Sequence, residues 1–221
     1  METKGIVYIV ASGEKTKLDF IPTPQDLVIA ADGGYDYLTE AGIRVDLLVG
    51  DMDSIKQIPN NVNRILLCKE KDDTDTLAAV RAGLEKGYRE FRIYCATGSR
   101  MSHTYANIQV LEFLAKQKKT GLLISDGNIS TVIHNEERII ENGTGYISIF
   151  SLSPSTTVTI SGLKYNIKDK VLTSDFPIGV SNEFIGKTAK IHAQNGSLLI
   201  IYNESVTSES TLCNQDSRNI R

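Results

Sequence analysis

The sequence contains no long hydrophobic run, and this absence excludes several classes of protein. No apolar segment approaches the ~20 residues that a membrane-spanning helix requires. The N-terminal apolar run, residues 6–11, is short and rich in β-branched side chains, which is not typical of a signal peptide. We therefore interpret it as the first strand of a fold that has no membrane span.

Cysteine is scarce: the chain has three, Cys68, Cys95 and Cys213, which lie far apart and form no CxxC pair. An odd number of widely spaced cysteines argues against a disulfide framework and against a zinc site. Free thiols of this kind are typical of a reducing compartment. The cysteines therefore predict a cytoplasmic location.

A basic excess is also missing, because 24 lysines and arginines are outnumbered by 27 aspartates and glutamates. Nucleic-acid-binding surfaces usually carry a positive excess, so nucleic acid is not an expected partner, and neither is a membrane. The chain has neither a GxGxxG dinucleotide fingerprint nor a P-loop motif. With 221 residues and 41% hydrophobic residues, it can form one large domain or two small ones.

The most informative stretch present is residues 47–54, LLVGDMDS, in which an apolar run reaches a glycine and then two carboxylates. The run predicts a buried strand that ends at Gly50. If the extended backbone continues, Asp51 and Asp53 point to the same side, where a cation such as Mg²⁺ would relieve their repulsion. The alternative is an acidic turn in which Asp53 or Ser54 caps the next element.

A second acidic cluster repeats this arrangement. Residues 71–75, KDDTD, follow another apolar run at 64–68 and precede a helical pattern that ends at Gly87. Asp73 or Thr74 is expected to cap that helix, with Asp75 in its first turn. Strand ends of this kind meet at one edge of an open α/β sheet, which is where ligands bind. The two clusters together favour a metal-dependent site over coincidental acidic turns.

The order of elements predicts an α/β protein. In residues 1–126, strands alternate with helices, which indicates a doubly wound, mostly parallel sheet forming an N-terminal catalytic domain. Its first strand ends in a small-residue turn, Ser12 and Gly13, where a phosphate could approach backbone N–H groups. From 127 to 204, short β-branched runs without a helical stripe predict a C-terminal all-β sandwich domain, and 205–221 read as a polar tail.

Six segments in this order resemble the thiamine pyrophosphokinase (thiamine diphosphokinase) family in its bacterial form. They are residues 31–34 (ADGG), 50–54 (GDMDS), 71–75 (KDDTD), 98–103 (GSRMSH) with 106–107 (AN), 162–165 (GLKY) and 179–183 (GVSNE). The resemblance extends from the first strand to about residue 202. It implies an α/β domain that binds ATP and Mg²⁺, followed by a β-sandwich that binds thiamine.

The family resemblance also implies the activity. Members transfer a pyrophosphoryl group from ATP to the hydroxyl of thiamine, giving thiamine diphosphate and AMP. They are homodimers with the active site between subunits. Such a transfer requires charge neutralised on the phosphates and a nucleophile held in line.

By resemblance, carboxylates at the strand ends hold Mg²⁺ and the phosphates. Asp51, Asp53 and Asp75 are the first candidates, and Asp32 and Asp46 are secondary ones. On chemical grounds, we also choose Asp75 as the group that accepts the proton of the thiamine hydroxyl.

The resemblance implies contacts from other side chains to the two substrates. These residues are Lys71 and Thr74 at the polyphosphate, Arg100 against its charge, His103 in the same loop, and Tyr165 and Ser181 at thiamine. A cationic thiamine over Tyr165 would gain about 1–2 kcal/mol from the cation–π interaction.

The chain departs from the family pattern at Ser99, which replaces a glycine, and at Ser102, which replaces an aspartate. We place Ser102 in the nucleotide-binding set, because its hydroxyl can accept a hydrogen bond although it brings no charge. The lost carboxylate leaves open a catalytically weak nucleotide- or thiamine-binding protein. A second alternative is a D-x-D phosphohydrolase in which Asp51 attacks and Asp53 acts as the acid.

Overall fold

The computed structural model describes residues 4–52, 55, 62–67, 73–98, 100–125, 127–141 and 143–203. Several predicted features lie outside these ranges: Asp53, Lys71, Ser99, Cys68, Cys213 and the tail at 205–221.

The described ranges contain strands and three helices. The strands are β1 (Ile6–Val10), β2 (Leu27–Ala31), β3 (Leu47–Gly50), β4 (Asn63–Leu66), β5 (Glu90–Tyr94), β6 (Thr120–Ser125), β7 (Asn128–His134), β8 (Glu137–Ile140), β9 (Tyr146–Ser151), β10 (Ser155–Ser161), β11 (Ile167–Thr173), β12 (Asn182–Glu183), β13 (Ala189–Gln194) and β14 (Ser197–Asn203). The helices are α1 (Gly34–Glu40), α2 (Asp75–Glu85) and α3 (Met101–Lys116).

The N-terminal half is a parallel sheet in the order β4-β3-β2-β1-β5-β6. Helices α2 and α3 pack on one face, while α1 and the β1–β2 connection cover the other. Every residue of β2 is buried because both faces of the sheet are covered. The strand order reverses between β1 and β5, and the carboxyl ends of strands at such a point form a crevice where ligands bind.

Local signals in the sequence set the ends of the helices. The Thr74 side chain accepts a hydrogen bond from the Leu77 N–H at 3.2 Å, so the prediction of an N-cap at this position is confirmed. Gly42, just beyond α1, has a φ of 66°, which glycine adopts without steric cost. Helix α3 begins at Met101, two residues before the predicted start.

The C-terminal half continues the same sheet. Strand β6 pairs antiparallel with β7, and β14, β9 and β12 follow, giving a ten-stranded sheet. The four-stranded sheet β11-β10-β13-β8 packs on this extension through buried side chains such as Ile149, Val158, Ile191 and Ile200. The predicted α/β sheet and β-sandwich are confirmed, but one layer of the sandwich belongs to the large sheet. None of the described helices is long and apolar enough to span a bilayer.

Candidate functional site

A cavity of about 390 Å³ opens at the carboxyl ends of β1, β2, β3 and β5, beside the first turns of α2 and α3. It lies at the point where the strand order reverses, as the topology predicts. The sequence-predicted residues that line it are Asp32, Asp51, Thr74, Asp75, Arg100 and His103. The fold therefore brings carboxylates, a hydroxyl and a guanidinium from four different segments to one place.

Asp32 is the most buried of these carboxylates, with 7% of its surface exposed. It follows β2 in a left-handed conformation, with a φ of 50°, and its N–H donates to the Val49 carbonyl at 2.8 Å. No described residue lies within hydrogen-bond distance of its Oδ1 atom. Because a buried carboxylate oxygen without a partner is costly, its position indicates a cation or a donor supplied by a ligand.

Gly50 lies against Asp32 and leaves room for it. A Cβ atom at Gly50 would be 3.2 Å from both the Cα and the Cβ of Asp32, and the glycine has a φ of 153°. Asp51 follows directly and lines the cavity. The chain then turns at Met52, whose φ is 67°, so the condition of an extended backbone through residues 51–53 is not met.

Residues of the second acidic cluster differ in their contacts: some line the cavity, and Asp73 forms an ion pair outside it. Thr74 caps α2 and Asp75 occupies its first turn, and both line the cavity. The Asp73 carboxylate instead contacts the Arg81 guanidinium at 2.8 Å. A hydroxyl that accepts from the Leu77 N–H can still donate its own proton, so Thr74 can cap the helix and also bind a ligand.

The start of α3 gives this cavity a positive side. The Arg100 carbonyl accepts from the N–H groups of His103 at 3.0 Å and Thr104 at 3.2 Å, which closes the first turn. The N-terminus of the helix and the Arg100 guanidinium both favour an anion. Ser102 is exposed in the same turn and does not line the cavity, contrary to its expected place in the binding set.

Asp46 is not brought to the site. It precedes β3, so it lies at the amino-terminal edge of the parallel strands, opposite the cavity. Its carboxylate accepts from the Val28 N–H at 2.8 Å and from Arg44 Nε at 3.1 Å. These contacts give Asp46 a structural task, and the structure separates it from the other candidates.

The small-residue turn after β1 lines the cavity, and two N–H groups of this region form hydrogen bonds within the protein. The Gly13 N–H donates to the Cys95 carbonyl at 2.7 Å, and the Glu14 N–H donates to the Thr97 carbonyl at 2.9 Å. These two N–H groups therefore join the turn to the segment after β5, and neither is left to bind a phosphate. Their bonds fix the wall of the cavity.

Sequence reasoning gave no role to several residues on the cavity wall, and Thr104 and Asn107 are two of them. Thr104 and Asn107 follow Arg100 at the i+4 and i+7 positions of α3, and all three line the cavity. That helical spacing is the signal that could have identified them. Asn107 is 5% exposed, and its Nδ2 donates to the Ala96 carbonyl at 2.6 Å, which anchors the segment after β5.

The donor set suits Mg²⁺, although the described residues do not close around an ion. No group of three histidine, cysteine, aspartate or glutamate side chains in the described ranges lies in metal-binding geometry. Asp32, Asp51 and Asp75 nevertheless line one cavity, and carboxylate oxygens are the ligands that Mg²⁺ prefers. The Asp32 Oδ1 atom is therefore well suited to a hydrated cation.

A second cavity, of about 320 Å³, opens between the two layers of the sandwich. Its lining is mainly apolar, with Ile149, Leu163 and Leu172 among its residues and Tyr165, which is 60% exposed, beside them. Ser181 lies between two lining residues, and its N–H donates to Ser148 Oγ at 3.1 Å. The two cavities share no lining residue among those described.

Lys164, which lies beside Tyr165, has a raised pKa. Lys164 Nζ contacts Glu183 Oε1 at 2.8 Å and lies 5.6 Å from the centre of the Tyr165 ring. The hydrogen bond to Glu183 holds the pKa of Lys164 above its usual value. A cation is therefore already tolerated beside this aromatic ring.

Comparison with known proteins assigns the family. The model of the thiamin pyrophosphokinase catalytic domain matches residues 22–123, and that of the thiamin pyrophosphokinase vitamin B1 binding domain matches residues 131–198. A thiamine pyrophosphokinase of Bacillus subtilis (strain 168) is 30% identical over 207 residues, covering 88% of this chain and 97% of its own. The chain belongs to the thiamine pyrophosphokinase family and is an enzyme of that family.

Solved structures agree with this assignment. The crystal structure of thiamine pyrophosphokinase from Bacillus subtilis matches with a TM-score of 0.80 and 28% identity, covering 91% of this chain and 100% of that one. The thiamin pyrophosphokinase from Geobacillus thermodenitrificans has the same fold, with a TM-score of 0.81, 24% identity and coverage of 92% and 99%.

Proposed function

We propose that the protein transfers a diphosphoryl group from ATP to the hydroxyl of thiamine, giving thiamine diphosphate and AMP. The observation that carries this proposal is the convergence of Asp32, Asp51, Asp75 and Arg100 on one cavity. This cavity lies in the half of the chain that matches the catalytic domain. The other half matches a vitamin B1 binding domain, which supports thiamine as the acceptor.

The first cavity receives the polyphosphate of ATP. The Arg100 guanidinium and the N-terminus of α3 offset its negative charge, and the Thr74 hydroxyl donates to a phosphate oxygen. Asp32, Asp51 and Asp75 would hold Mg²⁺. By resemblance, Asp53 is assigned to the same ion and Lys71 to the polyphosphate. When bound, Mg²⁺ supplies neutralisation of the charge that develops on the phosphate oxygens.

In the transfer, the thiamine hydroxyl oxygen attacks the β-phosphorus of ATP. A new O–P bond forms to the β-phosphorus, and the bond from that phosphorus to the oxygen shared with the α-phosphate breaks. AMP leaves with the bond electrons, and the hydroxyl proton passes to a carboxylate, for which we choose Asp75. His103 borders the same space and helps to hold the first turn of α3 in place.

Thiamine binds in the sandwich half, where Tyr165 and Ser181 contact it. The exposed Tyr165 ring offers a face to the cationic ring of thiamine, with a gain of about 1–2 kcal/mol. The neighbouring Lys164 is drawn toward Glu183, which limits its competition for that face.

A homodimer would bring the two cavities together. They share no lining residue among those described, and this supports a site in which the cavity of one subunit meets that of its partner. Exposed apolar side chains surround the second cavity and would be covered by such contact, namely Phe176, Ile178, Val180 and Ile185. Mixing Asp51→Asn with Tyr165→Ala subunits should restore activity in hybrid dimers, and no recovery after verified subunit exchange would contradict a shared site.

The proposal is tested by incubating the protein with ATP, Mg²⁺ and thiamine and separating the products by chromatography. Thiamine diphosphate and AMP are expected in equal amounts. ADP with thiamine monophosphate would contradict diphosphoryl transfer.

Neither a D-x-D phosphohydrolase nor a binding protein without turnover is supported by the family assignment. A cytoplasmic location stays part of the proposal.

A further inference from the structure

Two buried side-chain oxygens have no hydrogen-bond partner among the described residues, and both belong to residues that line the first cavity. They are Asp32 Oδ1 and Thr104 Oγ1. Buried polar atoms in folded proteins are nearly always hydrogen-bonded, so each exception calls for an explanation. Two such exceptions at one cavity point to a ligand that supplies their missing partners.

The Thr104 hydroxyl does not bond to the carbonyl that a threonine at this position of a helix commonly uses. A helical threonine hydroxyl commonly donates to the carbonyl four residues earlier, here that of Arg100. That carbonyl instead accepts from the N–H groups of His103 and Thr104, and the hydroxyl makes no bond to any described residue. The Thr104 hydroxyl is therefore left for a group inside the cavity.

The surroundings of Thr104 favour an anionic group as that partner. Arg100 is the N-cap residue of α3, four positions before Thr104, and it lines the same cavity as the positive N-terminus of the helix. A neutral hydroxyl beside a guanidinium can donate to a phosphate oxygen without adding charge. Asn107, one turn later, differs because its amide is already bound to the Ala96 carbonyl at 2.6 Å.

We propose that Thr104 is a nucleotide-binding residue whose hydroxyl donates a hydrogen bond to a polyphosphate oxygen of ATP. This inference rests on the proposed function, because it takes the ligand of the first cavity to be a nucleoside triphosphate. It adds a contact that the family resemblance did not assign.

The proposal predicts effects of opposite sign on the empty and the loaded protein. Valine has nearly the shape of threonine but no hydroxyl. In the empty protein, Thr104→Val removes an unsatisfied buried group, so stability should stay the same or rise. In the nucleotide complex, the same change removes a hydrogen bond to a charged group, so affinity should fall. A residue with a purely structural task would not give this pair of effects.

Thr131 provides a matched control. It is fully buried on β7, and its Oγ1 donates to the Gly121 carbonyl at 2.8 Å. Thr131→Val therefore makes the same chemical change at a hydroxyl that is already satisfied, and it removes a buried hydrogen bond to that carbonyl. It should lower the melting temperature and leave nucleotide affinity unchanged.

The experiment compares the parent with Thr104→Val, Thr104→Ser and Thr131→Val. Calorimetric titration with ATP and Mg²⁺, in the absence of thiamine, gives Kd, and thermal melts without ligand give stability. We expect Kd to rise about 10-fold in Thr104→Val, the loss of one hydrogen bond to a charged group. The Kd of Thr104→Ser should be close to that of the parent, because serine keeps the hydroxyl. In the thermal melts, only Thr131→Val should have a lower melting temperature than the parent.

Three results would overturn the inference: a parental Kd in Thr104→Val, equal weakening in Thr104→Val and Thr104→Ser, or a lower melting temperature in both valine variants. A separate turnover assay of the parent distinguishes this failure from that of the proposed function. Turnover by the parent with an unchanged Kd in Thr104→Val refutes only the role of Thr104. A parent that makes no thiamine diphosphate refutes the proposed function.

Discussion

Asn182 holds the main chain of Tyr165 through both of its amide atoms. Its Oδ1 accepts from the Tyr165 N–H at 3.0 Å, and its Nδ2 donates to the Tyr165 carbonyl at 2.8 Å. The Lys164 N–H also donates to the Glu183 carbonyl at 3.0 Å. The GLKY and GVSNE segments are therefore one structural unit, in which the second segment sets the position of the proposed thiamine-binding ring.

Asn182→Ala should raise the KM for thiamine about 10-fold or more, because it removes two hydrogen bonds that fix the Tyr165 backbone. The KM for ATP should stay near the parental value, since we propose that the nucleotide binds in the other cavity. Asn182→Asp keeps the acceptor and loses the donor, so its KM for thiamine should lie between those of the parent and Asn182→Ala. Equal increases in both KM values would contradict a role confined to thiamine, and steady-state kinetics with each substrate varied decide the matter.

Asp51→Asn and Asp75→Asn should each lower kcat about 100-fold or more, because the proposed site loses a carboxylate at the phosphates or the proton acceptor. Neither residue is fully buried, so circular dichroism and melting temperature should stay close to the parent. Asp73→Asn is the control, because Asp73 belongs to the same acidic cluster but pairs with Arg81. If Asp73→Asn lost as much activity as Asp75→Asn, the division of tasks in this cluster would be wrong.

Ser102→Asp should stabilise the folded protein without changing its need for Mg²⁺. Helix α3 begins with neither a side-chain cap nor an acidic residue in its first turn, so a carboxylate there would gain about 0.3–1 kcal/mol from the helix dipole. Ser102 does not line the cavity. Thermal melts and a Mg²⁺ titration of turnover, with Ser102→Asn as the uncharged control, test both parts. A lower Mg²⁺ requirement in Ser102→Asp alone would mean that the carboxylate reaches the site.

Asp26 should make stability sensitive to acid. Burial alone would raise its pKa, but hydrogen bonds from the Ile6 N–H and from Thr23 outweigh it and hold the pKa below the usual 3.8. The stabilisation is fully present above the unfolded-state pKa and is lost as pH falls through the lower folded-state value. Asp26→Asn should cost about 2 kcal/mol at neutral pH, with the difference from the parent shrinking in acid. Denaturant unfolding at several pH values measures the difference in the free energy of unfolding between the parent and Asp26→Asn. A difference that does not change with pH would contradict this role.

The local features of the site could be predicted because they depend on neighbouring residues. The Thr74 cap is an interaction over three positions, and the sequence indicates it as one of two alternatives, Asp73 or Thr74. Strand direction also matters: Asp32 follows its strand and reaches the cavity, whereas Asp46 precedes its strand and lies at the opposite edge. An acid beside a strand is therefore informative only when its position before or after that strand is considered.

Long-range pairings were harder to predict. The continuation of the sheet from β6 to β7 had a signal, because the two strands are separated by Asp-Gly at 126–127, a typical hairpin turn, and Gly127 has a φ of 72°. We used that dipeptide as a domain boundary, and the division into two domains there stays a prediction. Helical spacing places Thr104 on the cavity side of α3, but nothing in the sequence indicates that its hydroxyl has no hydrogen-bond partner among the described residues, because this depends on which groups the fold leaves nearby.

The central claim is that the β- and γ-phosphates of ATP move together to thiamine. It is tested most directly with ATP labelled at the β-phosphorus, incubated with Mg²⁺, thiamine and the protein, with α-labelled ATP in a parallel reaction. Diphosphoryl transfer predicts that the β-label appears in thiamine diphosphate and the α-label in AMP. Retention of the β-label in ADP, or its release as inorganic phosphate, would contradict the proposed function.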